Sequence, residues 1–233
     1  MAHEEISKTK CNREIFSRCS PSRVYSVVSQ LNDERKEIVR EMGFGSQLGM
    51  KKCNLCRNLI HWLLEKFDPT DGSLQLRSSK FILDSQIFGK IMGVVDGGED
   101  IGDLIMEDSC KRVTGERILL SKVEKTLKNN DEDMFVNNFL VFVCGTFLLP
   151  STSSYVVRSL EETLKAINVA KSIRTKNWAS VSWRFLVEGV RRYKQRRSTF
   201  ISGCVYFFQV EMNKWRKFLS CSVFYFVSVN NWM

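Results

Sequence analysis

Proline occurs three times and histidine twice in the 233 residues, and each scarcity narrows what the chain can be. With so little proline and only 13 glycines, no extended linker or low-complexity tract fits, and no repeat of fixed period is present. The two histidines are His3 and His61. A serine or cysteine nucleophile generally recruits a histidine base, so His61 alone stands between this sequence and that chemistry. Uninterrupted apolar runs are short as well. TFISGCVYFFQV and FLSCSVFYFVSV are the nearest approach, separated by EMNKWRK, and neither reaches the roughly 18 residues of a membrane helix. They are expected to be core elements. The start, MAHEEISKTKCNREIF, has no apolar h-region, which argues against a secretory signal. No G-x-G-x-x-G occurs, and FGSQLGMKK lacks the spacing of a phosphate-binding P-loop.

What is present is ordinary in bulk and uneven in detail. Composition, 43% hydrophobic and 26% charged, is that of a globular protein with a packed core. The eight cysteines lie scattered through apolar stretches of a chain too large to need staples, which suggests free thiols in a reducing compartment. The net charge of +9 is concentrated. Arg158 to Lys217 holds 14 basic residues against four acidic ones, while the rest of the chain balances 21 basic with 22 acidic. Such asymmetry points to a nucleic-acid or membrane surface, or to a solvated helical face.

Along the chain, Ser20 and Pro21 mark a helix start ahead of Val24, Val27, Val28 and Leu31. Asn32 caps DERKEIVREM, which Gly43 can close. A helix from Cys53 to Phe67 follows, ended by Asp68-Pro69 and Asp71-Gly72. LQL and FIL around RSSK predict a small hairpin near residues 74–83. Asp84 caps SQIFGKIM, with Gly93 at its end. Helical spacing returns in RILLSKVEKTL and in DEDMFVNNFLVFVCGTFLL, which Pro150 stops. Ser159 and Glu162 form a capping box before LEETLKAINVAKSI. Asn177 caps WASVSWRFLVEGVRRYKQRR, whose apolar arc is Trp183, Leu186, Val187, Val190 and Tyr193. The expectation is a mainly α-helical, compact multi-helix domain over residues 19–217 with one small β-hairpin. Residues 1–18 are expected to be a flexible tail, and 20–115 and 116–217 can be read as two lobes without a sharp boundary.

Three constellations bear on chemistry. Cys53 and Cys56 make a C-x-x-C near His61, but a zinc site needs about four ligands, usually from two such pairs. On a helix the two cysteines extend a stripe through Leu59, Ile60, Leu63, Leu64 and Phe67, and cysteine packs as a small apolar residue. The structural reading is preferred. The acidic loop Asp96, Glu99, Asp100 and Asp103 could in principle hold magnesium, yet it lacks calcium-loop spacing and its glycines suit a turn. No catalytic, cofactor-binding or metal-ligating residue is therefore assigned. RRYKQRR places Arg191, Arg192, Lys194, Arg196 and Arg197 together. Such a run can contact phosphates or act as an import signal, meet a protein partner, or be the solvated end of a helix complementing its dipole.

Several segments in order resemble the plant mobile domain of plant transposable elements, labelled "aminotransferase-like", in the version found ahead of a ubiquitin-like-protein-specific cysteine protease. They are CSPSRVYSVVSQLNDERKEIVREMGFGSQLGM, LIHWLLEKFDPTDGSLQL, IFGKIMGVVDGG, NNFLVFVCGTFLLPST and NWASVSWRFLVEGVRRYKQRRSTFISGCVYFFQV, from Cys19 to Val210. The resemblance implies a helical domain with no assigned catalytic residues, no pyridoxal-phosphate chemistry, and transposon-linked nuclear roles such as silencing. It makes the expected function non-enzymatic binding of nucleic acid or an acidic protein in the nucleus, or otherwise the cytoplasm. The alternative is an accessory N-terminal region of the protease without its catalytic part. Residues 218–233 fit neither, and are expected to reflect truncation or misprediction of the gene product.

Overall fold

The first turn of any helix leaves backbone N–H groups without an internal partner, and four side chains supply one here. In the computed structural model, which describes residues 15–76, 79–106, 119–127, 132–155, 170–195 and 198–215, Ser20 Oγ accepts from Arg23 N at the head of α1 (Pro21–Val28). Asn32 Oδ1 accepts from Arg35 N at 2.9 Å to open α2 (Asp33–Glu41). After α3 (Gly45–Leu48) and α4 (Arg57–Lys66), Asp84 Oδ1 accepts from Ile87 N at 2.7 Å and starts α5 (Ser85–Met92). α5 closes on Gly93 in the left-handed region, φ 64°, a conformation that glycine adopts without penalty. Then come α6 (Gly102–Met106), α7 (Leu120–Thr126), α8 (Glu132–Val143) and α9 (Ala170–Arg174). Asn177 Oδ1 caps α10 (Trp178–Lys194) through Ser180 N, 2.9 Å, and α11 (Tyr206–Trp215) ends the described chain. Asp84→Ala is expected to lose about 1 kcal/mol of stability, read as a lower urea midpoint with an unchanged m-value.

The architecture is mainly α-helical with a small antiparallel sheet, as the sequence predicts. That sheet has the order β2 (Phe67–Asp68), β3 (Ser73–Leu76), β4 (Ser79–Ile82), with Leu74 opposite Phe81. α10 packs on α5, and α11 crosses both α4 and α5. Residues from Ile15 to Met212 form a single apolar core, to which the segments 20–115 and 116–217 both contribute. At its centre Phe88 and Phe207 lie 5.0 Å apart by ring centroid, Phe67 and Phe208 5.1 Å, and Trp183 is 5.7 Å from Phe207.

Four departures from the expected pattern have physical causes. The helix expected from Cys53 begins only at Arg57. The carboxamide of Gln209 accepts from Cys56 N at 2.8 Å and donates to the Asn54 carbonyl at 3.1 Å, so a side chain from α11 holds this stretch extended. Phe67 and Asp68 leave the helix to pair with Leu74 and Ser73, which makes three strands of the expected two. The long helix before Pro150 widens to a π-helix over Cys144–Leu148. There the Thr146 hydroxyl bonds the Phe142 carbonyl at 2.5 Å, and the Thr146 carbonyl accepts from Ser20 N at 2.9 Å. The packed structure also starts before residue 19. Ile15 is buried, and β1 (Phe16–Ser17) pairs in parallel with β5 (Phe200–Ile201), correcting the expected tail of 1–18 over its last four residues. The Ser159 capping box and residues 218–233 lie outside the described residues.

Candidate nucleic-acid interface

The first part of the basic run predicted from sequence, Arg191 to Lys194, forms the last turn of α10. Tyr193, 7% exposed, anchors that end in the core, so its neighbours in sequence face outward around it. Glu188, one turn earlier, accepts from Arg191 Nη1 at 2.7 Å and from Arg192 Nε at 2.9 Å. These are the i,i+3 and i,i+4 spacings at which helix side chains meet. One carboxylate thus orients two guanidinium groups, whose side chains stay 43% and 38% exposed, and it neutralises only one of their charges. Arg191 also donates to the Pro69 carbonyl at 3.1 Å, which ties the helix end to the turn leaving β2. Lys194 Nζ donates to the Glu65 carbonyl at 3.4 Å. Burial lowers its pKa below the ordinary lysine value, opposed by the nearby carboxylates of Asp68 and Glu65. Arg196 and Arg197 lie outside the described residues.

Beside this helix end runs an open groove of about 620 Å³, bordered by Arg191, Lys194, Lys66, Lys80, Glu65 and Asp68. Its hairpin wall is electrically quiet. Lys80 Nζ binds Asp71 Oδ2 at 2.7 Å, and that hydrogen bond holds the Asp71 carboxyl down to about 2. The surplus positive charge therefore lies on the helix side. Sequence reasoning missed Lys66, the Pro69 carbonyl and the Glu65 carbonyl, because only the tertiary approach of the α4 end and the turn after β2 to α10 brings them there. It could have found Glu188, whose spacing to both arginines is visible in the run EGVRR.

The other constellations separate in space or neutralise themselves. Cys53 and Cys56 are half-buried, and the Cys53 thiol donates to the Tyr206 hydroxyl at 3.3 Å. They line the extended approach to α4 rather than its buried stripe, which Leu59, Ile60, Leu63 and Leu64 form without them. His61 turns to Glu65 on its own helix, Nδ1 to Oε1 3.6 Å. In the acidic loop, Glu99 is paired with Lys176, and Arg184 binds Asp100 and reaches Asp103 at 3.4 Å. The carboxylates of Glu99, Asp100 and Asp103 thereby fasten the loop and α6 to Lys176, just ahead of α10, and to Arg184 on it. Among the described residues no three His, Cys, Asp or Glu side chains come together as a metal site. No helix among them is long and apolar enough to cross a membrane.

Neither any curated protein nor any solved structure matches the chain. A family model does match, over residues 17–209, a span that runs from β1 through the first turn of α11 and takes in the whole basic helix end. By that match the chain belongs to the family described as a domain of unknown function, DUF8566.

Proposed function

We propose that the chain is a non-enzymatic, transposon-derived helical module of the plant mobile type, which binds nucleic acid in the nucleus through the exposed end of α10. One observation carries the reading. Glu188 holds Arg191 and Arg192 in fixed positions while leaving net positive charge at the surface. Guanidinium groups ordered before contact lose less freedom on meeting a phosphate than free side chains do. Neutralised phosphates release counterions, so binding of this kind weakens steeply with salt. The regional excess of basic residues, Arg158 to Lys217, extends the attraction beyond the two arginines.

Fluorescence anisotropy with a labelled, nonspecific duplex tests the proposal. Binding at about 50 mM salt should fall linearly with log salt. The variant Arg191→Ala with Arg192→Ala should weaken it and reduce the slope by about 2, one unit for each phosphate that is no longer neutralised. Glu188→Gln, which removes the opposing charge, should tighten binding. No binding at about 50 mM salt, or a slope that the double variant leaves unchanged, rejects the nucleic-acid reading; retention of an acidic protein in its place, abolished in the same variant, would make that the partner.

A further inference from the structure

A second cavity, of about 640 Å³, opens where the start of α1, the extended approach to α4 and the start of α7 meet. Buried Ile60, Leu120 and Val205 contribute apolar lining among serines, and three arginines from separate stretches of chain, Arg18, Arg23 and Arg57, border it. Each is differently held. Arg18 Nε donates to the Thr152 carbonyl at 2.9 Å and its guanidinium carbon sits 5.8 Å from the centroid of the Phe200 ring. Those two contacts fix the plane of the group, and its terminal nitrogens have no partner among the described residues. Arg23 grips Glu124 Oε2 through two nitrogens, at 3.0 and 2.6 Å. The exposed side chain of Arg57 makes no hydrogen bond or ion pair among the described residues.

From these placements we infer that the cavity is a binding site for a phosphate monoester of about nucleotide size, separate from the α10 surface and independent of the function proposed for it. The charge count favours this ligand. Three arginines border the cavity with a single carboxylate, that of Glu124, which pairs with Arg23; two positive charges are left to be met, and a phosphate monoester carries about −1.5 to −2 near neutral pH. A carboxylate would neutralise only one of them. Guanidinium forks match phosphate oxygens in geometry as well as charge. The volume lies in the range of small-ligand sites, about 300–1,000 Å³, and exceeds what a bare phosphate needs. Lining that mixes apolar, hydroxyl and cationic groups suits a ligand with one flat, weakly polar end and one anionic end. The ring of basic groups is also built into the fold, since Thr152 and Glu124 hold two of the three arginines in place from within the chain.

Two sources present this chemistry, a free mononucleotide and the 5′-phosphorylated end of a strand, and one experiment separates them. The full chain is titrated with adenosine 5′-monophosphate, and with a short single-stranded oligonucleotide carrying either a 5′-phosphate or a 5′-hydroxyl. Saturable binding of the mononucleotide is expected, weakened about tenfold or more in Arg18→Ala with Arg57→Ala, each substitution removing a charge-assisted hydrogen bond. Both side chains are at the surface, and a melting temperature equal to wild type would show that the variant folds. Preference for the 5′-phosphorylated oligonucleotide over its 5′-hydroxyl twin identifies strand ends; equal, weak binding of the two with retained mononucleotide binding identifies the free nucleotide. Inorganic phosphate at matched ionic strength should raise the melting temperature of wild type and not of the double variant. Absence of saturable mononucleotide and strand-end binding, or binding that the folded double variant retains in full, overturns the inference. The outcome at α10 is read separately, because Arg191→Ala with Arg192→Ala should leave mononucleotide affinity unchanged.

Discussion

Gly203→Val is expected to lower the melting temperature by roughly 10 °C. Two costs combine at this position. The residue sits at φ 90°, where a side chain with a β-carbon pays about 1–2 kcal/mol. A Cβ placed there would also lie 2.5 Å from the Cα of Leu186, and backbone cannot rotate away as a flexible side chain could. Leu186 is fully buried on α10, and α10 is backed by α5, where Ala179 already crowds Gly89. The approach is reciprocal, since a Cβ on Gly189 would overlap the Ser202 carbonyl oxygen. Helix and turn touch main chain to main chain. Overpacking of a tight interior adds about 1–3 kcal/mol, and the total is a large share of the roughly 5–15 kcal/mol that domains possess. In a chain of this size each kcal/mol shifts the midpoint by about 2–4 °C. Calorimetry would decide the matter, and a melting point within about 2 °C of wild type would mean that the turn is free to move off the helix.

Trp178→Ala should cost as much or more, about 3–5 kcal/mol, and its companion Trp178→Phe separates the reasons. The indole is 1% exposed, packs 5.6 Å from the Phe44 ring by centroid, and donates Nε1–H to the Ile173 carbonyl at 2.8 Å. It is the first residue of α10, so this one side chain both caps the core and ties α9 to the helix that carries the basic surface. Phenylalanine keeps most of the apolar packing but removes one of the two hydrogen bonds to the Ile173 carbonyl, which still accepts from Lys176 N at 3.3 Å, a loss of about 0.5–1.5 kcal/mol. Chemical denaturation should rank wild type above phenylalanine and phenylalanine above alanine. Equal midpoints for the two variants would assign the whole effect to the hydrogen bond, and a loss below about 1 kcal/mol in both would remove Trp178 from the core altogether.

Helix starts were legible because a cap is a local event. Ser20, Asn32, Asp84 and Asn177 each reach an N–H three residues ahead, so their meaning is written in four consecutive positions. The same holds for the hairpin, whose strands flank their own turn. What escaped depends on residues far away. Nothing around Cys53 announces that Gln209 will take up the backbone of Asn54 and Cys56, and nothing in Phe67-Asp68 announces pairing with Leu74 and Ser73. The π-helix depends on the fit of Cys144–Leu148 against the α1 entry, where its carbonyls receive Ser20 N and the Cys19 thiol. The basic surface was visible as a run of charge, and the spacing to Glu188 made its partner predictable. The arginine-bordered cavity was not, since Arg18, Arg23 and Arg57 sit in three stretches that only the tertiary fold brings to one rim.

The parallel pairing of Phe16 with Phe200 and Ser17 with Ile201 has a consequence for how the molecule is made. A nascent chain emerging from the ribosome carries its first strand unsatisfied until almost the whole domain has been translated, because the complement is synthesised near the end. Pairings between such distant positions are slow to form, and waiting intermediates with open strand edges are prone to stick to one another. The wait for the late strand is thus the vulnerable period, and its arrival is the step that ends it.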